Sequence, residues 1–380
     1  MTRIKDPRMS RRAVLFAGSM LLLAACGGAA ATPTSVPTAT VAPAATAAAV
    51  ATSAPTATSA PTATSAPTAT PVPAVITADP ISGAPALGRG SLTTRPIVVM
   101  FDNHPNAYPQ TGLDQAAIVF EALAEFGLTR FMAVYLPDAL PDAQVIGPVR
   151  SSRLYFVQWA IGLQGMYVHA GGSPQALETL ASTTEVADVD ALMAVGGAYF
   201  TRNAEREAPH NLYTTGEALK RALAAATTSD ALADVGFRFK ADVAEADRPA
   251  AQRIDYFFLY REDSAGWVYE PATNSYGRLR RGEPALDLGT GQQLRAKNVV
   301  VMEVFEQPIP GDEKGRIEQQ VIGEGRARVF MDGVEREVTW RKPDATSQLA
   351  FFDPNGEEVA LNPGVTWLVA LPAIENLTVQ

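Results

Sequence analysis

Beyond Asp79 the apolar residues fall into short blocks separated by turn-forming clusters. Ile97–Phe101 is apolar at every position and closes on Asp102-Asn103-His104-Pro105. That pattern predicts a buried strand ending in a turn. Ala117–Ala122 and Thr129–Leu136 are two more predicted strands, joined as a hairpin through Glu125-Phe126-Gly127-Leu128. Over Ser151–Ile161 the apolar positions Leu154, Val157 and Ile161 adopt helical spacing. Gly165–His169 returns to strand. Gly171-Gly172-Ser173-Pro174 then opens a helix running through Leu180, because Ser caps an N-terminus and Pro is tolerated at the first helical position. Thr214–Ala225 is a further helix, capped by Thr215.

Residues 236–253 are charged, Ala-rich and weakly periodic, and mark a boundary. Beyond it the pattern is strand-like. Ile254–Tyr260, Gly266–Glu270, Asn298–Val304 and Val365–Leu371 are predicted strands. Arg326–Met331 and Val334–Trp340 alternate around Asp332-Gly333, a strong hairpin signal. Phe351-Phe352, Asp353-Pro354-Asn355-Gly356 and Glu357–Leu361 suggest another hairpin. The predicted fold class is α/β (α+β): a mixed α/β domain over residues 79–240, then a smaller, mostly-β domain over 252–372.

The first 78 residues are of a different kind. A basic stretch with Arg3, Lys5, Arg8, Arg11 and Arg12 precedes the apolar run Ala13–Ala25, which is too short to span a bilayer comfortably. This predicts an export signal over residues 1–25. Leu23-Ala24-Ala25-Cys26 has the form of a lipobox, so Cys26, the sole cysteine, is the expected lipidation site and mature N-terminus. Ser10-Arg11-Arg12 also resembles a twin-arginine signal, and the general export route stays open. Residues 27–78 hold no charged and no aromatic residue, and Ser-Ala-Pro-Thr-Ala-Thr occurs in succession at Ser53, Ser59 and Ser65. Such a segment cannot build a packed core, so residues 26–78 are expected to be a disordered tether. With about 3.1 Å per residue as the ceiling, a partly extended tether reaches on the order of 100 Å. The expected location is the outer face of the cytoplasmic membrane, held by a lipid anchor.

Charge narrows the partners. Of the 31 basic and 40 acidic residues, segment 1–25 holds five and one, leaving 26 and 39, a net charge of −13. An acidic body argues against nucleic-acid binding and against electrostatic attraction to an anionic membrane. With one cysteine, the mature fold rests on packing without disulfides.

No nucleophile elbow, phosphate loop, HExxH or CxxC occurs in the chain. The polar residues at the ends of predicted apolar strands are the candidate site, since α/β folds place ligands there. Asp102 and Asn103 leave the first strand, and His104 before Pro105 is favoured as a turn residue. Arg150 and Arg153, three apart at a helix start, suit an anion or else internal pairs with Glu121 and Glu125. His169 stands at a strand end before two glycines, with Ser173 explained as a cap. Arg202, Arg206, His210 and Asn211 lie on one loop. A metal at His169, His210 and Asp102 has weak support from sequence alone, and neither metal nor cofactor is assigned.

Several stretches in fixed order resemble the YerB-like lipoprotein family. They are Arg95-Pro96-Ile97-Val98-Val99-Met100-Phe101-Asp102-Asn103-His104, Thr129-Arg130-Phe131-Met132-Ala133-Val134, Ile146-Gly147-Pro148-Val149-Arg150-Ser151-Ser152-Arg153, Tyr167-Val168-His169-Ala170-Gly171-Gly172-Ser173-Pro174 and Ala208-Pro209-His210-Asn211-Leu212-Tyr213. Weaker pieces follow at Tyr276-Gly277-Arg278, Lys297–Val301 and Pro363–Trp367. The resemblance covers roughly residues 80–372 and implies a mixed α/β fold with two sub-domains and a lipoprotein habit. It brings no catalytic residues. The expected function is binding of a polar or anionic envelope ligand, such as a cell-wall fragment, or of a partner protein, through a cleft in the N-terminal domain. The alternatives are a hydrolase or transferase acting on envelope polymers by His/carboxylate chemistry, and a scaffold with no ligand.

Overall fold

Ile97–Phe101 is apolar throughout because both faces of its strand are covered. Ile97, Val99 and Phe101 enter one core, while Val98 and Met100 enter another on the opposite face. The structure is a computed structural model and describes residues 87, 88, 92, 94–226 and 235–380. The export signal, Cys26 and the tether lie outside the described residues.

The strands that matter here are β1 (Ile97–Asp102), β2 (Ile118–Leu123), β3 (Thr129–Tyr135), β4 (Met166–His169), β5 (Ala187–Asp190), β6 (Arg253–Tyr256), β7 (Ala265–Glu270), β8 (Ser275–Arg280), β9 (Asn298–Glu303), β10 (Gly323–Met331), β11 (Val334–Lys342), β12 (Ala350–Phe352), β13 (Thr366–Leu371) and β14 (Leu377–Val379). Ten of them form one sheet in the order β12-β11-β10-β9-β13-β2-β3-β1-β4-β5. Its centre mixes directions. β13 runs parallel to both β9 and β2, β1 parallel to β4, and β3 antiparallel to β1 and β2. A second, six-stranded sheet contains the run β8-β7-β6-β14.

Two helices, α1 (Leu154–Leu163) and α2 (Pro174–Ser182), cover one face of the large sheet, where Phe156, Trp159, Ala176 and Leu180 join Val98, Met100 and Phe120. The second sheet covers the other face, where Tyr256, Trp267 and Trp367 meet Phe101, Val119 and Phe131. α3 (Gly216–Ala225) adds Leu219 and Ala222 on that same side. The fold is therefore mixed α/β with a mostly-strand C-terminal region. Among the described residues no helix is long and apolar enough to cross a membrane.

Most predicted elements appear, with instructive shifts. The helix expected from Ser151 starts at Leu154, because Ser152 is extended and bridges Gly172. The strand expected over Ile254–Tyr260 ends at Tyr256, ahead of a turn over Arg261–Asp263. The return arm expected at Glu357–Leu361 is reduced to the single bridge Phe352–Glu358. β5, β8 and β14 were not anticipated.

One buried polar cluster joins the two sheets. Glu121 projects from β2 into the second sheet and accepts two bonds from the Arg278 guanidinium, at 2.9 and 3.0 Å. Tyr256 Oη and Trp367 Nε1 donate to the same carboxylate at 2.8 and 3.0 Å. The guanidinium lies 4.4 Å from the Trp367 ring and 5.2 Å from the Trp267 ring. Both charges are almost completely buried. Removing one partner leaves the other unpaired in an apolar interior. Glu121→Gln is expected to cost about 3–5 kcal/mol in a urea unfolding experiment. The Glu121→Met/Arg278→Met double variant should lose less than that single variant. A larger loss in the double variant would contradict the assignment.

Candidate functional site

Asp102 is the last residue of β1 and its carboxylate is buried. Three donors surround it. The His104 backbone N–H reaches Oδ1 at 3.0 Å, His210 Nδ1 reaches Oδ2 at 2.7 Å, and Arg150 Nε stands 3.3 Å from Oδ2. The three come from different segments, so local geometry must bring them together.

Arg150 is delivered by residues 147–150, wedged between β1 and the strand Leu212–Thr215. Asp102 N–H donates to Pro148 O at 2.9 Å, Arg150 N–H to Met100 O at 3.0 Å, and Val149 N–H to Leu212 O at 2.7 Å. Gly147 is required at this crossing. Its φ is +147°, and a Cβ there would lie 2.9 Å from the Leu212 carbonyl oxygen. His210 is delivered by the loop before Leu212. Arg206 fastens that loop by donating to the carbonyls of Ala107 and Pro109, at 2.5 and 2.9 Å. Asn211 Nδ2 donates to the carbonyls of Asn203 and Arg206, and its Oδ1 accepts from Arg202 at 2.7 Å. The peptide bonds Tyr108–Pro109, Gly147–Pro148 and Ala208–Pro209 are cis.

His104 stacks on His210, with ring centroids 4.3 Å apart and planes 17° from parallel. Its Nδ1 accepts from the Asn106 N–H at 3.1 Å, so the hydrogen-bond network places its proton on Nε2. His210 Nδ1 faces the Asp102 carboxylate, so in the neutral ring Nδ1 carries the proton and Nε2 the lone pair. Burial, followed by the neighbouring His210, lowers the His104 pKa below its ordinary value. Arg150 and Arg280 add to this, against the opposing pull of Asp102.

Next to this cluster is an open cleft that encloses about 50 Å³. Asn103, Pro105 and Tyr108 form one wall, and Tyr260, Arg280 and Arg281 form the other. Glu121, Arg278 and Phe131 lie at its floor. The cleft thus draws on both halves of the chain. Asn103 is oriented by Thr129, to which it donates at 2.7 Å, and by Gln110, from which it accepts at 2.9 Å. The Arg280 guanidinium lies over the Tyr108 ring at 4.4 Å. Arg281 pairs with Asp263.

The sequence-predicted residues divide into two groups. Asp102, Arg150 and His210 converge, Asn103 lines the adjoining cleft, and Arg206 and Asn211 hold the loop that presents His210. Arg153 and His169 belong to separate, closed networks. Arg153 pairs with Glu125 and donates to the Ser152 carbonyl. Glu125 also takes Arg130 at 3.1 Å, and burial together with the nearby Arg153 holds the Arg130 guanidinium down to about 10. Ser173 caps α2 through the Ala176 N–H. Arg278, Arg280, Arg281 and Tyr108 were not anticipated. Their signal is the strand Ser275–Arg280 itself, where Arg278 and Arg280 sit two apart among apolar neighbours and so share one face.

His169 is fully buried, and both of its ring nitrogens meet acceptors: Gly171 O at 2.9 Å and Asp188 Oδ1 at 2.7 Å. Satisfying both requires two N–H donors, which is the imidazolium form. Burial opposes that charge, yet the Asp188 bond and charge, the Gly171 carbonyl and Asp190 outweigh it, and the pKa is raised above 6.5. A raised folded-state pKa contributes stability that is fully present below about 6.5 and is lost as pH climbs through the folded value. Asp188→Asn is expected to flatten this part of the profile, read as urea midpoints between pH 6 and 8.5. An unchanged slope would show that His169 is neutral in the fold.

The model of the protein family described as "Protein of unknown function (DUF3048) N-terminal domain" matches residues 81–229, and that of the DUF3048 C-terminal domain matches residues 254–368. YerB of Bacillus subtilis (strain 168) is 29% identical over 296 residues, covering 75% of this chain and 84% of that protein. A crystal structure of YerB from Bacillus subtilis superposes with a TM-score of 0.67 at 27% identity, covering 76% of this chain and 94% of that one. With both halves matched in order and the fold shared, the chain belongs to the DUF3048 family of YerB-like lipoproteins.

Proposed function

We propose that this protein is a lipid-anchored receptor on the outer face of the cytoplasmic membrane that binds an anionic envelope ligand in the cleft beside Asp102. One observation supports the reading above others. In a chain of net charge −9, the cleft and the Asp102 cluster beside it each hold one guanidinium group whose donors are left over. The Arg280 guanidinium lies over the Tyr108 ring and makes no hydrogen bond or ion pair among the described residues. Arg150 engages Asp102 through Nε, leaving its terminal nitrogens without acceptors. Elsewhere arginines are consumed: Arg278 by Glu121, Arg153 and Arg130 by Glu125, and Arg326 by Glu303. Unspent planar donors facing water suit a phosphate or carboxylate, which they engage in bidentate fashion.

The tether gives this cleft its setting. Some fifty uncharged residues between Cys26 and Asp79 would hold an acidic body away from an anionic bilayer and within reach of wall polymers.

Two measurements test the reading. Isothermal titration of the full-length protein in detergent, against inorganic phosphate, glycerol-phosphate oligomers and muramyl peptides, should show saturable binding of at least one. Arg280→Ala and Arg150→Ala should each weaken it about tenfold to a hundredfold, while Arg341→Ala, in β11, leaves it unchanged. Binding that ignores all three substitutions would place the ligand elsewhere. Separately, Cys26→Ser should move the protein from the membrane pellet to the soluble fraction of lysed cells. Retention in the pellet would remove the lipid anchor.

A further inference from the structure

The cluster at Asp102 has more in it than a binding site needs. A ligand held by arginines requires no imidazole with a fixed tautomer. His210 could serve only to lock its loop, but Arg206 and Asn211 already do so through five hydrogen bonds. The polar ends that remain are informative. His210 Nε2, His104 Nε2 and the Arg150 terminal nitrogens have no partner among the described residues. None of them is among the buried unsatisfied atoms, so water reaches them. The two imidazoles are fixed from behind, His210 by Asp102 at 2.7 Å and His104 by the Asn106 N–H and by stacking on His210 at 4.3 Å, while Arg150 is ion-paired with Asp102 at 3.3 Å without a hydrogen bond to it. A base, a hydrogen-bond donor and a cation are thus presented side by side.

We propose that Asp102, His104, Arg150 and His210 form a hydrolytic centre for phosphodiesters. This rests on the anion-binding reading above and assigns a reaction to it. His210 Nε2 is the general base, because its Nδ1 proton is committed to Asp102 and the lone pair faces outward. It removes a proton from water, whose oxygen attacks phosphorus and forms a new P–O bond. The P–O bond to the leaving alcohol breaks, and that alkoxide takes the proton back from the His210 imidazolium. Water and a diester become an alcohol and a monoester, and His210 ends as it began. Arg150 holds the non-bridging oxygens, where charge concentrates in the transition state. His104 donates its Nε2–H to the same phosphate. Asp102 touches no reacting atom, so it is a positioning residue that sets the tautomer and orientation of His210.

A diester fits better than a monoester for a reason of charge. With both imidazoles neutral, Asp102 and Arg150 cancel, so the centre has no net positive charge to hold a dianion, and Arg280 of the adjoining cleft supplies the single positive charge that matches a monoanion. The phosphodiester could belong to a glycerol-phosphate polymer or to a phospholipid headgroup, and the two are chemically alike at phosphorus.

The test uses the full-length protein in detergent. With bis(p-nitrophenyl) phosphate, p-nitrophenolate release is expected to exceed the rate of a His210→Asn preparation by about 10²–10⁴-fold. The Asn amide keeps a donor toward Asp102 and removes the base together with the ring on which His104 stacks, so the melting temperature and phosphate affinity of this variant are measured beside its turnover, and turnover should fall by much more than binding. Asp102→Asn should lower kcat at unchanged KM, a split that general loss of folding does not give. Arg150→Ala should raise KM and weaken phosphate binding together. Glycerol-phosphate oligomers and phosphatidylglycerol vesicles, followed by phosphorus NMR, show which source is cleaved, and cleavage of either supports the centre. Phosphate binding without turnover of any of these diesters would overturn the hydrolytic centre and leave the binding reading standing. Absence of both binding and turnover would overturn both. Turnover equal in wild type and His210→Asn would remove His210 from the chemistry.

Discussion

A carboxylate on the central sheet and a guanidinium on the smaller sheet meet almost completely buried, at the floor of the cleft. Glu121 and Arg278 share two hydrogen bonds, and the remaining carboxylate capacity goes to Tyr256 and Trp367. Such a pair adds little net stability over apolar packing, but it penalises every arrangement that separates its members. The two sheets would otherwise meet through aromatic surfaces that tolerate sliding, such as Trp267 against Trp367 at 5.3 Å. The ion pair fixes their register, and the cleft whose floor it forms inherits that register. Tyr108 from one half and Arg280 from the other oppose each other because Glu121 and Arg278 do so beneath them.

The use of charge across the molecule follows from this. Most buried cations are closed off by acids or carbonyls: Arg153 by Glu125, Lys297 by Asp242, Lys342 by the carbonyls of Ala345 and Ser347. Against that background, donors left open at Arg150 and Arg280 are unusual; Arg280 lines the cleft and Arg150 belongs to the Asp102 cluster beside it. Asp102 has the opposite role. It accepts from His104 N–H and His210 and pairs with Arg150, and so turns the far ends of His210 and Arg150 outward.

The parts legible in the sequence were those set by local pattern. The apolar run Ile97–Phe101, the Asp332-Gly333 hairpin and the Ser173-Pro174 helix start each encode their structure within a few residues. Asp102, Arg150 and His210 could be picked out because each sits beside a strand end or a turn. Their convergence could not, since the spacings of 48 and 60 residues are bridged by sheet topology. His104 looked like a turn residue, and it does cap a turn, but its stacking on His210 is a long-range fact. His169 looked equally good as a site residue, yet its partner Asp188 lies on β5, a strand too short and too mixed in polarity to be recognised. β8 was missed for a related reason: its arginines mask an alternation in which Arg278 belongs to the core.

The place of β13 in the large sheet has a consequence for how the protein comes into being. This strand sits between β2 and β9 and is parallel to both, so it joins residues near position 120 to residues near position 300. Glu121 and Trp367, bonded across 246 positions, record the same separation. A chain threaded outward from its N-terminus must therefore hold two half-sheets with exposed edges until the segment around Trp367 emerges. Maturation of this protein is in that sense a closing event. The interval before closure, with β2 unpaired along one edge, is when proteases and chaperones have their best access to it.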